Sequence, residues 1–283
     1  MAVNPEVFRA LGALCEPPDP AHARLAAALG LPPPADAASF TDAFVFQLVP
    51  YAAPYLSPDG MLGGEAGDRV AGFWRALHLT PPPEPDHLAV LLGLYAILAE
   101  RENAERRPGP AGAWRHARRA LLWEHLLTWI PAYTHAMAAL PSGFHTAWAR
   151  LLRAALLSEA REIAPPPSPP LHLRDLPELP GPGPDLIRAL LVPARSGMII
   201  IRNDLVSAAA AAGLGARLGG REFTLRALID SDPAAMSGWL AGHAAWWAER
   251  HRADIPPLPV IAGHWLARAQ ASMHVLRQLP PSS

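Results

Sequence analysis

An all-α fold is predicted by three observations: apolar residues recur at intervals of three and four in one segment after another, period-two alternation is missing, and proline or glycine punctuates most segment ends. With 283 residues, 51% of them hydrophobic and only 17% charged, the chain can bury a sizeable core. The pattern predicts a single helical-bundle domain over residues 1–164, a proline-rich linker over 165–184 and a mostly helical C-terminal extension over 185–283.

Taken in order, Pro5 to Cys15 and Pro20 to Gly30 read as short helices, each opened by proline. The second is stopped by Gly30 and Pro32-Pro33-Pro34. Ser39 is expected to cap a third helix, Phe40 to Leu48. In Pro50-Tyr51-Ala52-Ala53-Pro54-Tyr55-Leu56 two prolines interrupt an aromatic segment, which predicts a semi-rigid exposed or groove-lining strip. Helical spacing resumes from Asp68 to Leu79 through Val70, Phe73, Trp74 and Leu77. In the next helix Leu88, Leu91, Leu92, Tyr95 and Leu98 form one apolar stripe, and Pro85 sets the turn that opens it. Glu100 to Gly112 reads as a polar connection. Trp114 to Leu140 is helical, with Pro131 placing a kink or break after Ile130, and Phe144 to Ile163 completes the set.

Pro165 to Pro184 holds nine prolines and no continuous apolar pattern, so an extended linker or a strap over the first domain is expected. Beyond it, Asp185 to Val192 is a short helix, and Met198-Ile199-Ile200-Ile201 is the one candidate strand. Asn203 or Asp204 caps an alanine-rich helix ending near Gly213. Asp232-Pro233 opens a tryptophan-rich helix, and Pro259 to Leu279 is the last.

Composition excludes several chemistries. All 24 basic residues are arginine, which removes Schiff-base, Walker and kinase-type lysines. Cys15 stands alone, so there is no intrachain disulfide, no Cys-x-x-Cys pair and no thiolate metal cluster. The histidines are scattered rather than spaced as metal ligands, and His116 and His125 among Trp114, Trp123 and Trp129 read as parts of a packed core. No cofactor is expected. A formal net charge of -1 gives no field to gather nucleic acid. The N-terminal residues lack the basic-then-apolar order of a secretory signal and no uncharged run reaches membrane-spanning length, so a cytoplasmic chain without stable membrane insertion is expected.

Asp86 and His87 are delivered together at the mouth of the apolar helix, where a carboxylate can cap backbone N–H groups or hold a cation, and an imidazole can titrate near neutral pH. Gly213 to Gly220 follows a helix rather than a strand and reads as a glycine-rich turn. Asn203 to Ile229 also admits a helix-turn-helix reading, with Arg202, Arg217, Arg221 and Arg226 as its sparse basic residues. Two other functions therefore stay open at this point: a DNA-binding regulator acting through that C-terminal segment, and an enzyme using Asp86 and His87 as an acid–base pair.

Three features in this order carry a resemblance: the Pro50 to Leu56 segment with its Asp59-Gly60 loop, the Glu84-Pro85-Asp86-His87-Leu88 helix start, and His125-Leu126 to Trp129-Ile130-Pro131. Over about residues 5 to 163 the chain resembles the TorD/DmsD/NarJ family of chaperones that mature molybdenum-containing oxidoreductases. The resemblance implies a chaperone rather than an enzyme. It implies binding to the twin-arginine leader and the apo form of a molybdoenzyme catalytic subunit until its cofactor is inserted, with homodimerisation left open. Asp86 and Glu84 would accept hydrogen bonds from the leader's guanidinium groups beside Pro85 and His87. Tyr51, Tyr55, Leu56, Phe73, Trp74 and Leu88 would form the groove for its apolar run.

Overall fold

A computed structural model describes residues 4–166, 168–174, 176–215 and 219–278. Among these residues the regular elements are all helical, and no β-strand is present. The chain divides into two compact units, one made of residues up to 53 with 61–174, the other of residues 54–60 with those beyond 174. The division thus falls inside the proline-rich stretch, and a short loop after Ala53 groups with the later unit.

In the first unit, Asn4 opens α1 (Pro5–Ala13) by accepting from the Glu6 N–H, and α2 (Ala21–Ala28) follows. Asp36, not Ser39, caps α3 (Ala37–Phe40): its carboxylate accepts from the Ser39 N–H at 2.8 Å, three residues on, as an N-cap side chain does. The chain then winds as a π-turn over Thr41–Gln47, closed by Leu48 N–H to the Ala43 carbonyl at 2.8 Å. The expected strip at Pro50 to Leu56 is neither exposed nor irregular. Tyr51 forms an isolated antiparallel bridge with His87, Ala53–Leu56 makes one helical turn (α4), and Ala52, Ala53, Tyr55 and Leu56 are buried.

Next come α5 (Gly64–Ala76), α6 (Leu88–Ala104) and α7 (Pro108–Ala120). The polar connection predicted over Glu100 to Gly112 shrinks to residues 105–107, because Pro108 stands at the first position of α7, where a helix needs no N–H. A second π-turn, Leu121–Leu126, leads to α8 (Ile130–Ala138) and α9 (Gly143–Glu162). The helical path breaks just before Ile130 rather than after it, and Pro131 sits in the first turn of α8.

The first core is built around α6, which buries Leu94, Ala96 and Ala99 as well as its predicted stripe. It packs against α1 and α7. Gly12 permits the approach of α1, since a Cβ there would stand 3.2 Å from the Ala89 backbone. Each fully buried leucine, such as Leu91 or Leu92, contributes about 1.5–3 kcal/mol relative to exposure. A buried polar network ties α6, α7 and α9 together. Arg118 donates to Glu159 at 2.5 Å, to Glu102 at 2.7 Å and to the Tyr95 hydroxyl at 3.1 Å, and that hydroxyl donates to Glu159.

The second unit holds α10 (Leu186–Leu190), α11 (Pro193–Ser196), α12 (Arg202–Ala211), α13 (Arg221–Ser231), α14 (Pro233–Asp254) and α15 (Pro259–Arg277). Asp232 caps α14 as its sequence suggested, accepting from the Ala235 N–H at 2.9 Å. Residues 216–218 of the glycine-rich turn, Arg217 among them, and Leu279 at the expected end of the last helix lie outside the described residues.

Met198 to Ile201 is not a strand. It is buried as its apolar run demands, yet it has no strand beside it, and side chains take over the work of a ladder. Ser196 Oγ donates to the Met198 carbonyl at 3.2 Å, Arg221 donates to that of Ile200 at 2.8 Å, and Asp204 accepts from the Ile201 N–H at 2.8 Å. His251 Nε2 lies 2.9 Å from the Gly197 carbonyl just before it. Its partners are partly local, Ser196 and Asp204, and partly from helices farther along the chain, Arg221 and His251.

Candidate functional site

α5 presents two distinct faces. Gly64, Gly67, Asp68, Ala71 and Arg75 recur at helical spacing along one of them and line a cavity of about 500 Å³. Its other walls are Leu62 and Gly63 before α5, the run Pro81-Pro82-Pro83, and Glu84, Pro85, Asp86 and Tyr51. Glycines and Ala71 keep the α5 wall low, while three prolines hold the opposite wall stiff. Three carboxylates, Asp68, Glu84 and Asp86, therefore converge with a single arginine, Arg75, on one concave surface. Leu62, 59% exposed, adds an apolar lip.

Within this cavity the carboxylates differ. The Tyr51 hydroxyl donates to Glu84 at 2.9 Å, and burial together with the Glu84 charge pushes the phenol up to about 12, so it stays a donor. Glu84 and Asp68 are exposed. Asp86 is buried, and one of its oxygens accepts from the Ala53 N–H at 2.9 Å while its carbonyl accepts from Ala52 at 3.1 Å. Its first task is to fasten the Pro50 to Ala53 segment to the start of α6, and Leu88 N–H completes the fastening on the Pro50 carbonyl at 2.8 Å.

His87 is the N-cap of α6. Its Nδ1 lies 3.3 Å from both the Ala89 N–H and the Glu16 carboxylate, so the neutral ring accepts from the former and a protonated ring donates to the latter. The ring also meets Tyr51 edge to face at 4.7 Å. One Asp86 oxygen and the His87 Nδ1 are thus engaged with backbone N–H groups rather than with each other. The helix-turn-helix reading loses basic surface in a similar way, since Arg221 turns inward onto the Ile200 carbonyl and Arg226 lies 3.3 Å from Glu222. Among the described residues no three His, Cys, Asp or Glu side chains gather as they would around a metal ion, and no helix is long and apolar enough to cross a membrane.

The structure brings Tyr51, Glu84, Pro85 and Asp86 together at the cavity, with His87 behind them. It separates the other sequence candidates. Leu88 is wholly buried in the core; Tyr55 and Leu56 are buried and group with the second unit. Phe73 points away from the cavity face of α5 and packs on His125 at 5.0 Å, and Trp74 is half-buried beside it in sequence without lining the cavity. Sequence reasoning missed Asp68, Arg75 and Leu62. The i, i+3, i+4, i+7 run of small and polar residues from Gly64 was the signal for that face.

It also missed a buried histidine pair. His125 Nδ1 and His172 Nε2 stand 3.0 Å apart, with Phe73 over His125. Burial pushes His125 from 6.5 down to about 4, and burial, then the neighbouring His125 and Arg69, push His172 well below its ordinary value. The unfolded chain therefore takes up these protons first. Stability supplied by the neutral rings is complete above about pH 6.5 and is lost as pH falls toward 4. Imidazole NMR titration should find both rings neutral at pH 6, with urea midpoints for the first unit lower at pH 4.5 than at pH 7.5. A ring that titrates at its ordinary value would contradict the burial.

Residues 15–135, which contain the cavity and the start of α6, match the family model described as nitrate reductase delta subunit. The proteins named "Chaperone protein TorD" from Vibrio vulnificus strains YJ016 and CMCP6 are each 30% identical to this chain over 128 residues. Over this segment the chain is similar to the TorD/DmsD/NarJ family. The alignment takes in 41% of this chain and spans 58% of the length of those TorD relatives. Apart from residues 54–60, the matched segment belongs to the first unit, and it ends within α8. All of the cavity-lining residues fall inside the matched segment.

Proposed function

We propose that this chain is a maturation chaperone that binds the twin-arginine leader of an apo molybdoenzyme catalytic subunit and acts before cofactor insertion and export. The observation that carries the reading is the cavity beside α5, where Asp68, Glu84 and Asp86 converge next to an exposed apolar lip. A leader offers the complement: paired guanidinium groups followed by an apolar run. Exposed Glu84, pre-oriented by the Tyr51 hydroxyl, and exposed Asp68 are the first acceptors for the guanidinium groups, and Asp86 holds the wall against which they bind. Arg75 neutralises part of the acidic field, and the three carboxylates less that one cation leave a formal excess of two negative charges, which matches paired guanidinium groups. Leu62 and the proline wall lie where the apolar run would leave the cavity. The chain does this work as a binding protein, in the cytoplasm, without a cofactor of its own.

The test is a calorimetric titration of the full-length chain with a synthetic twin-arginine leader peptide, and with the same peptide carrying glutamine in place of both arginines. The expected result is binding of the first, and binding of the second about tenfold to a hundredfold weaker, the range for charge-assisted hydrogen bonds of roughly 1.5–3 kcal/mol. Equal affinity for both peptides would remove the acidic cavity from the account.

A further inference from the structure

The second face of α5 carries a different site. After α9 the proline-rich chain folds back over the first unit, where side chains of α5, α7 and the π-turn Leu121–Leu126 anchor its backbone and Arg174 donates to the Pro169 carbonyl. Trp123 Nε1 donates to the Ile163 carbonyl at 2.9 Å and Arg119 donates to that of Pro165. Leu171–Leu173 then makes one 3₁₀ turn. The backbone of Leu171 is bracketed: its N–H donates to the Glu124 carboxylate at 2.6 Å, and its carbonyl accepts from the Arg69 guanidinium at 3.2 Å. His172 is 1% exposed and plugs the slot between them against His125.

A carboxylate for a backbone N–H and a guanidinium for the carbonyl of the same residue form a clamp for a peptide backbone, indifferent to side chain. Specificity comes from the slot beside it, which admits a flat ring able to share a hydrogen with His125. The present occupant is imperfect, because His172 Nδ1 is buried with no hydrogen-bond partner. Burial raises the Glu124 pKa, partly offset by the Leu171 N–H and the Arg174 charge, so that the clamp also carries a desolvation cost. Prolines ahead of the turn, Pro169 and Pro170, keep the segment stiff when released, which lowers the entropic cost of rebinding.

We propose that Arg69, Phe73, Glu124 and His125 form a peptide-capture slot, filled in the free chain by its own strap, whose exchangeable ligand is a proline-flanked apolar turn bearing a central imidazole or aromatic side chain on a protein partner. The slot is separate from the acidic cavity and does not depend on the leader reading. In the resting chain the strap masks it.

The probe is the strap itself in trans, a synthetic peptide of residues 168–174, Ser-Pro-Pro-Leu-His-Leu-Arg. It is titrated into the wild-type full chain and into a variant with a vacated slot, Leu171→Ser with His172→Ala and Leu173→Ser. The expected result is affinity at least tenfold tighter for the vacated variant, lost again when Glu124→Gln is added or when the peptide carries alanine for its histidine. A folded vacated variant that ignores the peptide, or binds it no better than wild type does, overturns the proposal. Should that variant fail to fold, hydrogen exchange on the wild-type chain decides: millimolar peptide should speed exchange in the segment 168–174 at least tenfold, the alanine peptide should not, and an unchanged rate overturns the proposal.

Discussion

Arg118→Ala is expected to destabilise the first unit by about 3–5 kcal/mol, the usual result of removing one partner from a buried ion pair. Arg118 pairs with the Glu159 carboxylate at 2.5 Å in the network joining α6, α7 and α9, and Glu159 is 1% exposed. Without it the Tyr95 hydroxyl remains as one neutral donor to a buried charge, while Glu102 loses its bond to Arg118 Nε. The cost comes from the stranded charge more than from the lost contact. Arg118→Ala combined with Glu159→Met should therefore recover part of the loss, since it strands no charge at Glu159, although the Tyr95 hydroxyl and Glu102 still lose their partners. Urea unfolding followed by tryptophan fluorescence compares the three chains. A single variant that unfolds within about 1 kcal/mol of wild type would mean that water reaches Glu159.

Gly197→Ala should have an effect of the same size in the second unit. Gly197 closes α11 with φ +70°, and a Cβ there would fall 2.3 Å from the Ala269 nitrogen and 2.8 Å from the Arg268 backbone in α15. Left-handed strain of about 1–3 kcal/mol and overpacking of about 1–3 kcal/mol add, because the obstacle is backbone that cannot rotate away. Gly213→Ala is the control within the same unit. Its φ is +66°, but nothing lies within 4 Å, so only the strain contribution should appear in its denaturation curve. Equal losses for the two variants would show that α15 yields to the methyl group.

Helix existence was legible in the sequence because the apolar spacing of α5, α6, α9 and α14 reports which side of each helix is buried. What was not legible depended on long-range partners. Met198 to Ile201 has the composition of a strand, and only the absence of a neighbouring strand, with Ser196, Asp204 and Arg221 serving its backbone, makes it something else. Both π-turns are invisible to a 3.6-residue period, yet the second carries Glu124 and His125 into the slot. At the candidate site, Glu84, Pro85 and Asp86 line the cavity as neighbours in sequence, but their carboxylates are used differently. A carboxylate next to a helix start was expected to face a ligand, but Asp86 is consumed by the Ala53 N–H thirty-three residues earlier, and the exposed acids are Glu84 and Asp68. Phe73 and Trp74 were read as one groove with Tyr51 because they are apolar, and the helix turns Phe73 to the opposite side.

The central claim is that the acidic cavity of the first unit receives the arginines of a leader, and a double-mutant cycle measures it most directly. The twin-arginine peptide and its glutamine counterpart are titrated calorimetrically into wild type and into Glu84→Gln with Asp68→Asn, at low and at high salt. Neither substitution touches the buried network or the Asp86 fastening, so thermal melts should coincide. The expected result is a tenfold to hundredfold loss, roughly 1.5–3 kcal/mol, for the arginine peptide on the variant, with no loss for the glutamine peptide, and a difference that narrows as salt rises. An arginine peptide that binds the folded variant as tightly as wild type at both salt concentrations would contradict it.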